Sequence, residues 1–258
     1  MDLTELLPNA DLDPSMVDSR AAEIFDQIVR SRRSVRIYDE TLVPAEVIHR
    51  ALDHAMLAPN SSNMQPWEFF WARTTETKSQ LAVACLSQPA ATTAAELVVF
   101  TARADTWRMR RKQMLKYFAE QSAKGVKIPN SALQYYGKLI PLNQTMGPFS
   151  VLGWVKRLIF FIVGLFRAVP REPVSATDNR IVRIKTTALA AENFMLSIRA
   201  QGFDTCPMEG FDSKRVRNIL KLKRSTSVVM IISVGKRKPS GIYGQRIRFP
   251  RHEFVKEC

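Results

Sequence analysis

Residues 58–70 read APNSSNMQPWEFF, and the fold turns on what this stretch is for. Pro59, Asn60, Ser61, Ser62 and Asn63 are strong turn formers whose side chains satisfy nearby backbone groups, which is one sufficient account of the loop. That account leaves Gln65 and the density of donors and acceptors before Pro66 and Trp67 without a purpose. The second account is a polar loop shaped to grip a flat, hydrogen-bonding ligand. Behind it, residues 67–72 alternate too little for an edge strand and read as a buried one.

Working outward, residues 20–31 (RAAEIFDQIVRS) and 44–57 carry apolar side chains at helical spacing, through Ile24, Phe25 and Ile28 and through Val47, Ile48, Leu52 and Met56. A helix is predicted over 76–86 and a core strand over 94–102 (AAELVVFTA). Residues 182–201 place Ile184, Ala188, Ala191, Met195 and Ile198 on one helical stripe, with Gly202 as a stop. A Pro/Gly-bounded loop over 206–211 (CPMEGF), a short helix over 215–222 and an apolar strand over 227–234 (SVVMIISV) follow, then a basic arm too polar for a core. Helices interleaved with short buried strands argue for an α+β or α/β sandwich, not a bundle or barrel.

At 258 residues the chain is long enough for a substantial core, and it reads as one domain, 1–258, interrupted by an insertion over 107–176. Lys and Arg number 38 against 24 Asp and Glu, a formal charge of +14, which draws the protein toward anions of any kind. Zinc-finger spacing, an aromatic RNA-reading motif and a glycine-rich phosphate loop are absent from the sequence, so no specific nucleic acid partner is expected. Cys85, Cys206 and Cys258 have neither disulfide nor metal-ligand spacing, and His49 and His54 are five apart; no metal site is expected, and Cys206 reads as a buried thiol. Residues 1–22 are acidic and lack the features of a secretory signal, so a cytoplasmic protein is expected.

Residues 147–170 (GPFSVLGWVKRLIFFIVGLFRAVP) differ in kind. Lys156 and Arg157 break the apolar run before it reaches the ~20 residues that span a bilayer. On a helix, Lys156, Gly164 and Arg167 share one side, while Trp154, Leu158, Phe161 and Leu165 form an apolar surface. One reading is an interfacial helix with its basic chains at anionic headgroups, attaching the protein peripherally to the inner face of the cell membrane. The other is a lid or subunit contact buried against protein.

Residues 31–36 (SRRSVR) hold three guanidinium groups and two hydroxyls, the donors a phosphomonoester asks for, and also a common solvated surface. In 244–250 (GQRIRFP), extended backbone would turn Arg246 and Arg248 to one side and use Ile247 as an apolar anchor. Gly210 permits close backbone approach or a positive φ, and a backbone N–H there could donate to a bound heterocycle. Glu209 has no second carboxylate or histidine beside it in sequence.

Taken in order, SRRSVR, APNSSNMQPW, PMEG after a long helix and RIRFP after the last strand resemble the FMN-dependent nitroreductase family, over most of the chain outside 107–176. The resemblance implies an α+β three-layer sandwich with a central mixed or antiparallel sheet. It also implies a homodimer with FMN in clefts at the subunit interface. Arg32, Arg33, Ser34 and Arg36 would join Arg246 and Arg248 around the phosphate. Pro59, Asn60, Ser61 and Asn63 would reach the flavin from the opposite subunit, with Gln65, Pro66 and Trp67 holding the loop, and Pro207, Met208, Glu209 and Gly210 would lie along the ring. NADH or NADPH would reduce the flavin, and a nitroaromatic or quinone-like acceptor would reoxidise it by a ping-pong cycle. A non-catalytic FMN-binding protein is the alternative. Family members often carry an Asn and a Lys after the helix that follows the QPW strand; here residues 86–90 (LSQPA) offer only Gln88 as an amide donor.

Overall fold

In the computed structural model, which describes residues 15, 17–147 and 151–258, the first helices are α1 (Ala21–Ser31) and α2 (Ala45–Met56). β1 (Trp67–Trp71), α3 (Thr75–Ala84), the short α4 (Pro89–Thr92) and β2 (Glu96–Arg103) follow. Residues 107–176 hold α5 (Trp107–Ala123), α6 (Asn130–Gln134), one π-helical turn (Tyr135–Leu139), α7 (Ile140–Gln144) and α8 (Val151–Val163). Then come α9 (Ala176–Ala200), β3 (Asp204–Met208), α10 (Ser213–Ile219), β4 (Thr226–Gly235) and α11 (Arg251–Phe254). The acidic stretch 1–14 lies outside the described residues, as do 148–150 within the segment 147–170.

The four strands run in the order β1-β2-β4-β3, and every neighbouring pair is antiparallel. Alternate residues of a strand face opposite sides. Val98 and Phe100 of β2 and Met230, Ile232 and Val234 of β4 therefore pack with Ile48 and Ala51 of α2 and with Ala190, Ala191, Phe194 and Ile198 of α9. Leu97, Val99, Cys206, Met208 and Ile231 face the other way, onto Leu81 and Ala84 of α3 and Val216 of α10. This is the α+β sandwich, a sheet with helices on both faces. Helix α9 starts on a capping box, Ser175 Oγ accepting from the Asp178 N–H (3.1 Å) while the Asp178 carboxylate accepts from the Ser175 N–H (2.8 Å). It ends just before Gly202, whose φ of +85° suits the turn.

The sheet is wholly antiparallel among the described strands, one of the two arrangements expected. Two expectations change. β1 is an edge strand, not an interior one: its side chains are apolar on both faces because Trp67, Phe69 and Trp71 meet the α2/α9 layer while Phe70 meets the α3 layer. Residues 206–208 of the expected loop 206–211 instead belong to the strand β3; Pro207 is tolerated because β3 also lies at an edge, where a missing N–H removes no ladder bond.

At the start of β3, Asp204 is almost fully buried and accepts from Arg199 Nη1 at 2.6 Å, with Arg237 Nε at 3.7 Å and the Arg237 N–H at 3.3 Å. It pins the end of α9 to the strand it feeds. Removing it strands the largely buried Arg199 charge, so Asp204→Ala should cost about 3–5 kcal/mol in urea unfolding, and the apolar pair Arg199→Met/Asp204→Leu should recover most of that.

Candidate functional site

The free side of β3 organises the first group of sequence-predicted residues. The Val35 N–H donates to Thr205 O at 3.0 Å, and Ser34 and Thr205 form a parallel bridge. Val35 and Tyr38 then point into the core while Ser34 and Arg36 stay exposed. The C-terminal arm crosses the same segment, the Arg36 N–H donating to Gly241 O at 2.7 Å. A Cβ on Gly241 would sit 2.3 Å from Ile37 O, so only glycine lets the two backbones approach this closely.

That crossing brings together residues about 210 positions apart. Arg32, Arg33, Ser34, Arg36, Arg246 and Arg248 line one open pocket of about 250 Å³. Arg33 Nη2 donates to Gly244 O at 2.8 Å, and Arg246 Nη2 donates to the carbonyls of Arg30, at 3.1 Å, and Arg32. These contacts fix the guanidiniums without neutralising them. Among the described residues Arg30 pairs with Asp26 at 2.7 Å, whereas none of the five pocket arginines has a carboxylate partner. Burial first, and then the neighbouring Arg248, Arg33, Arg32 and Arg30, pull Arg246 below the ordinary arginine value. A cluster of forked cations with a hydroxyl and no counter-charge fits a phosphate dianion. Tyr243 and Gln245 also line the pocket; lying in an arm without regular structure, they carried no periodic signal. Ile247 is 76% exposed and anchors nothing, contrary to expectation.

The polar loop lies elsewhere in the chain. Ser62, Asn63 and Gln65 all have positive φ, at 57°, 47° and 41°. Asn60 Oδ1 accepts from the Gln65 N–H at 2.9 Å, and Gln65 Nε2 donates to Asn63 Oδ1 at 3.1 Å. The π-helical turn holds the loop from outside: Ser62 Oγ is 2.5 Å from Tyr135 Oη, and Tyr136 Oη donates to Ser62 O at 2.9 Å. Arg111 fixes the π-helical turn in its turn, Nε donating to Tyr136 O at 2.6 Å. The two tyrosines carried only a weak sequence signal, an aromatic doublet within a polar stretch. Pro59, Asn60, Ser61 and Asn63 do not join the arginine pocket within one chain.

Pro207 and Met208 end β3, and Glu209 and Gly210 are exposed just beyond it. Gly210 has no positive φ, and a Cβ added there would meet no atom within 4 Å, so nothing in this chain alone requires glycine at that position. Gln88 Nε2 donates to Gly210 O at 3.2 Å and to Cys85 O at 3.0 Å, which ties the turn after α3 to this segment. Its amide is spent on backbone.

Helix α8 turns Gly153 and Lys156 inward and leaves Trp154, Leu158, Ile159, Phe161 and Ile162 exposed. Lys156 is not at the polar boundary, as its charge suggested: its Nζ donates to Thr145 O at 2.6 Å, and burial lowers its pKa. The helix also stops at Val163, so Gly164 and Arg167 do not continue a helical face. Arg157 lies over the Trp154 ring at 5.6 Å. No helix among the described residues is long and apolar enough to cross a membrane.

Residues 29–236 match the family model described as the nitroreductase family. The chain is 27% identical to YdgI of Bacillus subtilis (strain 168), named for NAD(P)H nitroreductase activity, across 86% of this chain and 93% of that one. It is 28% identical to the 4-nitrobenzoate reductase of Nocardioides sp. (strain LMS-CY), across 83% and 81%. A nitroreductase-like protein from Streptococcus mutans shares the fold with a TM-score of 0.68 at 19% identity, covering 92% of this chain and 99% of that one. A protein of Exiguobacterium sibiricum solved in complex with FMN does so with a TM-score of 0.63 at 24% identity, covering 91% and 97%. With four ordered motifs, the antiparallel sandwich and a match over most of its length, the chain belongs to the nitroreductase family.

Proposed function

We propose that this FMN-dependent, NAD(P)H-linked oxidoreductase works as a homodimer that reduces a flat, electron-poor acceptor, a nitroaromatic or a quinone. The observation that carries the assignment of its cofactor site is the convergence of Arg32, Arg33, Ser34 and Arg36 with Arg246 and Arg248 in one carboxylate-free pocket. These groups would hold the FMN phosphate. Pro59, Asn60, Ser61 and Asn63 of the second copy would reach the ring and ribityl chain, a division of labour favoured by their separation from the arginine pocket within one chain. Gln65 braces that loop, and Pro207, Met208, Glu209 and Gly210 border the ring, with Gln88 fixing their backbone. When bound, the flavin supplies the hydride chemistry. The protein's part is to position it, keep one face open and let NAD(P)H and the acceptor use that face in turn. The name of the Nocardioides relative supports a nitroaromatic acceptor.

We also assign α8 to peripheral contact with an anionic membrane on its cytoplasmic side. Its outward apolar face would lie in the interface, with Arg157 and Arg167 at headgroups and Lys156 held inside the fold.

Arg246→Gln and Arg248→Gln should each weaken FMN binding by about 10- to 100-fold, the value of a charge-assisted hydrogen bond, with thermal unfolding of the FMN-free protein little changed. A purified protein that is colourless, monomeric and indifferent to added FMN would refute the cofactor site. Stopped-flow mixing with NADH or NADPH should bleach the bound flavin on a turnover timescale, and a nitro compound or quinone should restore its colour; a flavin that stays oxidised marks a non-catalytic binder. Finally, the wild type should sediment with anionic vesicles and keep part of that attachment in high salt, while Leu158→Ser/Phe161→Ser/Leu165→Ser stays in solution with its FMN. If wild type ignores the vesicles and the triple variant loses its dimer, α8 is a subunit contact.

A further inference from the structure

A second pocket, apart from the arginine cluster, lies where the polar loop meets the insertion and α9. Ser61, Ser62, Trp107, Gln144, Arg183 and Thr186 are among the residues that line it. Its volume of about 40 Å³ admits about three water-sized groups, the size of a carboxylate.

Two arginines line it, Arg103 and Arg183, and only one of them is neutralised. Arg103 donates to Asp105 at 2.9 and 3.1 Å and to Glu68 at 3.2 Å. Those bonds hold Asp105 well below the usual carboxylate range and raise Arg103. Arg183 is half-buried on the face of α9 that also carries Asn179, Val182 and Thr186 into the pocket. Among the described residues its guanidinium makes no hydrogen bond and no ion pair, and the Thr186 hydroxyl likewise has no partner. Burial without a counter-charge pulls Arg183 below the ordinary arginine value. Arg110, one turn along α5 from the pocket residue Thr106, adds positive potential nearby, and its Nε is buried without a partner. A half-buried cation facing a small cavity beside an indole is costly unless an anion meets it there.

We propose that this pocket binds the anionic oxygen group of a small reactant, with Arg183 as its cationic anchor, Thr186 as a neutral donor and Trp107 as a flat wall. The acceptor it suits is an aromatic carboxylate; the same chemistry is carried by the 2′-phosphate of NADPH. The inference rests on the proposed flavin site, because it is Ser61 and Ser62 of the flavin loop that bring this pocket to the ring. The anchor borders a cavity with room for only about three such groups, so selection acts on one end of the ligand and leaves the reacting end to the open face.

Calorimetry on the FMN-loaded protein, with benzoate and benzamide as probes, tests this without turnover. Benzoate should bind about 10-fold or more tighter than benzamide, Arg183→Gln should abolish the difference, and Arg183→Lys should keep part of it. In steady-state assays the ratio of KM for 4-nitrobenzamide to KM for 4-nitrobenzoate should collapse in Arg183→Gln. If benzoate does not discriminate but Arg183→Gln raises KM for NADPH and not for NADH, the pocket holds and its anion is the reductant's phosphate. If neither ratio moves, or if Arg183→Gln splits the dimer with no change in ligand selection, Arg183 serves assembly and the proposal is wrong. FMN titration of each variant keeps the two readings apart: a protein that binds FMN normally yet ignores benzoate and shows no NADPH effect overturns only this one.

Discussion

One backbone hydrogen bond, from the Val35 N–H to Thr205 O, decides where the chemistry of this protein can lie. β3 is an edge strand, and an unpaired edge is a row of donors and acceptors that must be met by something. Residues 34–38 meet it. Tyr38 locks the arrangement by turning its hydroxyl onto Ser233, 2.9 Å from Oγ, and by packing its ring over Gly235, where a Cβ would lie 2.8 Å from the ring. Once Val35 and Tyr38 are buried, Ser34 and Arg36 have only the outer side available, and the arm that crosses at Gly241 lays Arg246 and Arg248 beside them. The phosphate-type donor set is thus a by-product of how a sheet edge is closed.

The charge of +14 takes on meaning through where its carboxylates are not. Asp26, Asp105, Glu96 and Asp204 each hold a cation, but most of the basic side chains have no such partner among the described residues. The pocket arginines and Arg183 are left unmatched among the described residues, and both sets border cavities. Unmatched surface cations are ordinary and cost little; unmatched cations that are held by backbone carbonyls or half-buried are not, because desolvation has been incurred with no partner to offset it. The net charge alone suggests any polyanion; what points to small anions is that these particular arginines line defined pockets.

The parts of the fold legible in the sequence are those where one physical effect dominates. β2 and β4 are apolar on both faces because helices cover both, and α9 shows a small-residue stripe because Ala190 and Ala191 let it lie close to the sheet. Residue pattern alone offers the arginine cluster as two halves, which the family resemblance joins; what holds them together in the fold is the crossing at Gly241. β3 was hidden because Pro207 and Gly210 mimic a loop, a disguise that works only at an edge. β1 looked interior because aromatic residues fill both of its faces, although its outer backbone is unpaired. Arg183 was illegible, one basic residue among several on α9, and its distinction is a missing partner, which no sequence pattern records.

Lys156 shows how far a charged residue can depart from its apparent role. In an apolar helix it reads as the polar boundary, yet it faces inward, and its ammonium meets Thr145 O at the carbonyl end of α7, where a cation is favoured. The long aliphatic stem packs as an apolar chain would, while the head satisfies an acceptor that the end of the helix would otherwise leave open. The consequence falls on the opposite side of α8. With Gly153 and Lys156 committed inward, the rotation of the helix is fixed, and Trp154, Leu158 and Phe161 are turned out by the same constraint. Their exposure therefore follows from a buried polar contact that sets the helix's face, and the neighbouring π-helical turn, through Tyr135 and Tyr136, holds the polar loop.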